Sequence, residues 1–169
     1  KFYYDAASQT VWYYPFDGED IARAEVFYPA TDTLVSASGT PERPLENFSI
    51  DGVEFAGASF KFNCGETWDV RSQAAADAPA AVSFSFAKNV RVENCVFRAC
   101  EAYAIEFGKA VWDSSAKNCV VRGVGAGGFK VGALQTCRKL EIPAESDGLT
   151  SGRIEISDNI VCDYGRVWK

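Results

Sequence analysis

Glu106 and Lys130 stand 24 residues apart in a chain that repeats itself at that interval. Each sits between apolar residues in a period-two run, Ala104-Ile105-Glu106-Phe107-Gly108 and Gly128-Phe129-Lys130-Val131-Gly132. Inward Ile105/Phe107 and Phe129/Val131 turn the two charged residues outward on one sheet face, one strand spacing (about 4.8 Å) apart. The chain has no histidine, which excludes a serine or cysteine nucleophile with a histidine base inside it. Carboxylate chemistry remains. Two carboxylates about 5–5.5 Å apart suit retaining glycoside hydrolysis, and about 6.5–9.5 Å suits inversion. The candidate catalytic carboxylates are Glu106 and Asp163, with Lys130, Arg166, Trp168 and Asp147 as candidate substrate contacts. Asp147 lies in a loop, Glu145-Ser146-Asp147-Gly148, placed to overhang a groove. Asp163 and Arg166 flank Tyr164-Gly165, near the edge of the glycine-rich turn 125–128. Glu101, Asp113 and Asp158 are further acidic candidates, Asp158 falling at a corner where its role is structural. Small neighbours (Ala104, Gly108, Gly128, Gly132) are expected to leave that face unobstructed, as a polysaccharide groove requires; the second reading of Glu106 and Lys130 is a solvated cross-strand ion pair.

The elements that position these residues follow from the repeat. Val90–Phe97 aligns with Ser114–Val121, and two further copies are Phe48–Phe55 and Ile154–Val161. In columns, alternate apolar residues (Phe48/Ile50, Val90/Val92, Ile154/Ile156) are followed by a Gly/Asn/Asp position (Gly52, Asn94, Asn118, Asp158) and a second apolar pair. Two short strands meeting at a corner of left-handed or bridge conformation, repeated at a fixed period without helical spacing, predict a β-solenoid. Ser114 and Asn159 break the apolar rule; Asn159 fits either an internal amide ladder or a bond to a turn. The larger gaps accommodate inserted loops near 64–81 and 133–152. The fold expected is all-β, a right-handed parallel β-helix of the pectate-lyase-like kind over 41–169, with a capping region over 1–40.

That first region reads as short strands at Phe2–Asp5, Thr10–Tyr14, Ala24–Tyr28 and Thr33–Ser36, the first two joined by a hairpin turn. Its aromatic residues suit a sugar-stacking surface or, the expectation adopted, a small sheet packed over an exposed solenoid end.

Composition narrows the partners. The net charge of −6 argues against a nucleic-acid backbone. No apolar run approaches the roughly 20 residues of a membrane-spanning helix. Of the six cysteines, Cys95 and Cys119 share a column and are expected as stacked, buried thiols; a disulfide between them would have poor geometry. Metal is not expected without histidine or clustered cysteine spacing. Gly123-Val124-Gly125-Ala126-Gly127-Gly128 belongs to the repeat and precedes no helix, so it is not read as a nucleotide loop. The chain has no methionine, begins at Lys1 and shows no signal peptide; it is expected to be a piece of a longer solenoid whose next strand starts near Trp168.

Three stretches resemble parallel β-helix proteins related to glycoside hydrolase family 141. The opening, KFYYDAASQTVWYYPFDGEDIARAEVFYPATDTLVSASGTPERPLENFSIDGVEF, is similar to that family's W/F-Y-x-D…L-Y-Y-x-P-x-x-G-E-D start and first coil. VRGVGAGGFKVG is similar to its L-G-A-G-G-V-x-I-G coil, and ISDNIVCDYGRVW to its V-x-D-N-x-I-x-x-G coil. The resemblance implies an extracellular or periplasmic, cofactor-independent enzyme acting on plant polysaccharide, fucosidase and xylanase activities being known in the family. Further β-helix coils of the parent chain and a polysaccharide or oligosaccharide are the partners implied. A polysaccharide lyase or epimerase, and a non-catalytic glycan-binding or structural β-helix, are the rival readings.

Overall fold

The computed structural model describes residues 2–60, 75, 78–132 and 148–166. Sixteen strands lie in this part, with a 3-10 turn at Ile21–Arg23. The all-β expectation holds.

Apart from one hairpin, every strand joins one of three parallel sheets. Sheet I contains β3 (Val35–Ser38), β7 (Ala80–Ser85), β11 (Tyr103–Phe107) and β14 (Phe129–Val131). Sheet II contains β4 (Leu45–Glu46) and β5 (Ser49–Asp51), β8 (Ala87–Lys88) and β9 (Arg91–Glu93), β12 (Val111–Lys117), and β15 (Gly152–Ser157). Sheet III contains β6 (Glu54–Ala56), β10 (Val96–Arg98), β13 (Val120–Arg122) and β16 (Ile160–Cys162). The chain thus visits the sheets in the same order four times, and each visit lies beside the one before it. The pairing follows the sequence columns: Ile50 meets Val92, Val92 meets Ala116, and Ala116 meets Ile156. Phe55, Phe97, Val121 and Val161 form the matching row of sheet III.

These rows face a common interior. Val82, Phe84, Val92, Phe97, Ile105, Phe107, Val111 and Val121 are wholly buried there. Like residues stack between turns: Phe55 on Phe97 at 4.9 Å and Phe84 on Phe107 at 5.8 Å between ring centroids. Each buried ring contributes about 1.5–3 kcal/mol from burial, and each stacked pair about 0.5–1.5 kcal/mol more. Cys95, Cys100 and Cys119 are buried free thiols; Cys162 is free and exposed. Burial pushes the Cys100 and Cys119 thiols up from their ordinary value.

The corners explain much of the composition. Gly52, Asn94, Asn118 and Asp158 all have φ between 53° and 68°. Two more left-handed columns escape sequence inspection: Asn47, Asn89, Asp113 and Arg153, and Gly57, Ala99, Gly123 and Asp163. Side-chain ladders tie the corners together. Asn118 Nδ2 donates to Asn94 Oδ1 at 2.6 Å, Asn94 Nδ2 to Asp51 Oδ1 at 2.6 Å, and Asn89 Nδ2 to Asn47 Oδ1 at 2.6 Å. The two polar residues in apolar columns bond across turns. Ser114 Oγ accepts from Val90 N at 3.0 Å and donates to Trp112 O at 2.8 Å. Asn159 Oδ1 accepts from Cys119 N at 2.8 Å while its Nδ2 donates to Ala116 O at 2.9 Å, so it bonds backbone instead of forming an amide ladder.

The glycine-rich stretch has a packing cause. A Cβ on Gly125 would lie 1.9 Å from Glu101 O, and one on Gly127 would lie 2.7 Å from the Tyr103 ring.

The first region departs from expectation. β1 (Phe2–Asp5) and β2 (Thr10–Tyr13) do pair as an antiparallel ribbon, Phe2 opposite Tyr13. Ala24–Tyr28 is not a strand: it pairs with no strand among the described residues. The aromatic residues Phe2, Tyr3, Trp12, Tyr14, Phe16, Phe27 and Tyr28 are exposed. Val35–Ser38 belongs to sheet I, where it pairs with β7.

Two long connections interrupt the winding, residues 57–79 and 132–151. The first runs into β7 and the second leaves β14, so both adjoin sheet I.

Candidate functional site

The outer face of sheet I carries one continuous polar row. Ser36 pairs with Ser83, Ser83 with Glu106, and Glu106 with Lys130. Period-two alternation puts it there: in β7 and β11, Val82, Phe84, Ile105 and Phe107 are fully buried while Ser83 and Glu106 are partly exposed.

Both Glu106 oxygens are held. Lys130 Nζ lies 3.1 Å from Oε1, and Ser83 Oγ donates to Oε2 at 3.3 Å. Lys130 Nζ also donates to Ala78 O at 2.7 Å and lies 5.5 Å from the Tyr103 ring centroid. The open face expected for a groove is covered in part at these two residues. The Glu106 side chain is 21% exposed and that of Lys130 14%. A small cluster of Ala75, Ala78, Ala80, Ala102, Tyr103 and Ala126, with Phe60 against it, accounts for part of this cover. Burial also pushes the Tyr103 phenol up from its ordinary value. The solvated ion-pair reading is corrected with it: this pair is shielded, and screened less by salt than a surface pair.

Other ion pairs lie nearer to water. Arg98–Glu54 and Lys117–Glu155 have side chains 35% to 59% exposed. Asp113 is occupied by Arg153, which donates to it through Nε and Nη2 and holds its carboxyl below the usual range. Glu101 Oε2 accepts from Phe60 N at 2.6 Å, fixing the start of a connection.

The remaining sequence candidates are placed apart from Glu106. Asp163 is an exposed corner residue with φ 52°, and its carbonyl accepts from Val124 N at 3.2 Å. Arg166 is exposed, its Nη1 3.6 Å from where a Cβ on Gly123 would stand. Among the described residues no hydrogen bond or ion pair links either one to Glu106. Asp147 and Trp168 lie outside the described residues. The described residues contain no group of three metal-ligating side chains. No helix among them is long and apolar enough to cross a membrane.

Sequence reasoning finds Glu106 and Lys130 but misses Ser36, Ser83, Tyr103 and the Ala78 carbonyl. The alternating run Val82-Ser83-Phe84-Ser85-Phe86 carries the signal for Ser83, at a spacing of 23 residues from Glu106 instead of 24.

No protein-family model matches this chain, and no curated protein matches it. A solved structure named "Glycoside hydrolase" shares its fold, with a TM-score of 0.83 over 98% of this chain at 20% sequence identity. The chain spans 33% of that protein's length. At this identity the likeness defines an architecture: an all-β chain of stacked parallel strands.

Proposed function

We propose that the chain is part of a glycoside hydrolase built on a right-handed parallel β-helix. It would cleave plant cell-wall or similar complex polysaccharide by carboxylate acid/base catalysis, without a cofactor. The observation that carries this reading is Glu106: a shielded carboxylate with both oxygens held, on the sheet that both long connections adjoin. The fold shared with a structure named glycoside hydrolase and the three stretches similar to family 141 support it.

Hydrolysis adds water across the glycosidic bond, the hydroxyl joining the anomeric carbon and the proton leaving with the departing oxygen. An ion-paired carboxylate is an anion, which suits the nucleophile or the base better than the acid. Glu106 takes that part. Asp163 is the proposed second carboxylate, with Asp147 and Arg166 as contacts from the loops, Trp168 as an aromatic platform, and Lys130 beside Glu106. The substrate reaches the site outside the cell or in the periplasm, and further turns of the same β-helix complete the groove.

The test is incubation of the full-length protein with plant polysaccharides and with 4-nitrophenyl α-L-fucoside and β-D-xyloside, comparing wild type with Glu106→Gln. Sugar release that falls by about 10²-fold or more in the variant is the expected result. Release untouched by the substitution removes Glu106 from the reaction. Binding without release assigns the chain to a glycan-binding β-helix, and an ultraviolet-absorbing unsaturated product assigns it to a lyase.

A further inference from the structure

We infer that Lys130 is a positioning residue for Glu106 and not a contact to substrate. The inference rests on the reading of Glu106 as a reacting carboxylate. A lysine that binds substrate keeps its ammonium open to the groove. The Lys130 side chain is only 14% exposed, less than that of the carboxylate it serves. Its Nζ is spent on protein atoms: Glu106 Oε1 at 3.1 Å and Ala78 O at 2.7 Å, with the Tyr103 ring 5.5 Å away.

The two anchors differ in origin, and this gives the arrangement its effect. Glu106 is on β11, Lys130 on the neighbouring strand β14, and Ala78 on the connection that enters β7. One ammonium therefore fixes the carboxylate against both a strand and a connection. Ser83 Oγ takes Oε2 from the opposite strand at 3.3 Å. With one oxygen held from each side, the carboxylate plane cannot swing about its terminal torsion. Reaction rates depend steeply on such placement, a shift of about 1 Å costing up to roughly 10²-fold.

Steady-state kinetics on the most rapidly cleaved of soluble xylan, 4-nitrophenyl α-L-fucoside and 4-nitrophenyl β-D-xyloside test this. Lys130→Met is expected to lower kcat by about 10- to 100-fold with KM within about twofold of wild type. Lys130→Arg keeps the charge but replaces a compact donor by a planar fork, and recovers part of the loss. Ser83→Ala, which strands no charge, gives a smaller fall of the same kind; with Lys130→Arg it carries the test if Lys130→Met does not fold. Lys117→Met, at the exposed pair with Glu155, is the control and leaves both constants unchanged. A raised KM with kcat preserved in Lys130→Met overturns the inference and makes Lys130 a substrate contact. Wild-type constants in Lys130→Met, with Glu106→Gln inactive, overturn the inference alone. An active Glu106→Gln overturns the hydrolase reading of Glu106 and the inference together.

Discussion

The aromatic ribbon and the third turn of the stack are both rich in apolar residues, yet one hides them and the other shows them. Phe107 and Val111 are 0% exposed, whereas Phe2 is 78% and Trp12 64% exposed. Among the described residues the ribbon's two strands pair only with each other. Strands β11 and β12 each have a parallel neighbour on both sides. The fourth turn is the intermediate case. Val131 pairs with Phe107 on one side and is 47% exposed. Complete burial of a strand side chain in this molecule thus goes with being between two turns. Hydrophobicity alone does not secure it.

The largest effect that tests this contrast is Phe107→Ala. It removes a wholly buried ring stacked on Phe84, and urea unfolding should show a loss of about 3–5 kcal/mol. A loss below about 1 kcal/mol would mean that the interior is as tolerant as a surface. Gly125→Ala comes next, because its Cβ has no room beside Glu101 O; about 1–3 kcal/mol is expected. Asn94→Ala should cost about 1–2 kcal/mol from its left-handed backbone alone. Asn94→Gly recovers that part and leaves only the loss of the two ladder bonds, so the pair of variants separates corner from ladder.

A pH titration adds a direction. The folded chain retains protons on Cys100 and Cys119 that the unfolded chain gives up at the ordinary thiol value. The sign follows from linkage: this contribution is complete below that value and fades as pH rises towards the raised, folded one. Stability measured in urea should fall over that alkaline range, and Cys100→Ala with Cys119→Ala should flatten the fall. The smallest effect is Phe2→Ala, within about 0.5 kcal/mol, since the ring is exposed. A large loss there would show that the ribbon is covered in the whole protein, and would erase the contrast.

How far the sequence could be read follows the same division. The columns beginning at Phe48, Val90, Ser114 and Ile154 anticipate the pairing of sheet II, because a row that must face inward leaves a period-two trace. The Glu106–Lys130 neighbourhood is legible for the same reason. The columns containing Ala99 and Arg153 are not, since neither residue type announces a left-handed backbone. Ser83 is missed because its turn is one residue shorter than the regular spacing between Glu106 and Lys130. The ribbon misleads because aromatic density reports an appetite for contact without naming what supplies it. The shielding of Lys130 depends on Ala78, whose contribution is a backbone carbonyl that any residue would offer.

The two long connections that adjoin sheet I have a consequence for how such a chain can change over generations. Residues 57–79 and 132–151 stand where the other turns pass between the same sheets in far fewer residues, while sheets II and III keep their register. The molecule separates its stacked rows from two long stretches, one leading into the sheet that bears Glu106 and one leading out of it. Segments of other lengths can be tried there with the sequence of the paired rows unchanged. For an engineer, the two stretches are the first places to graft.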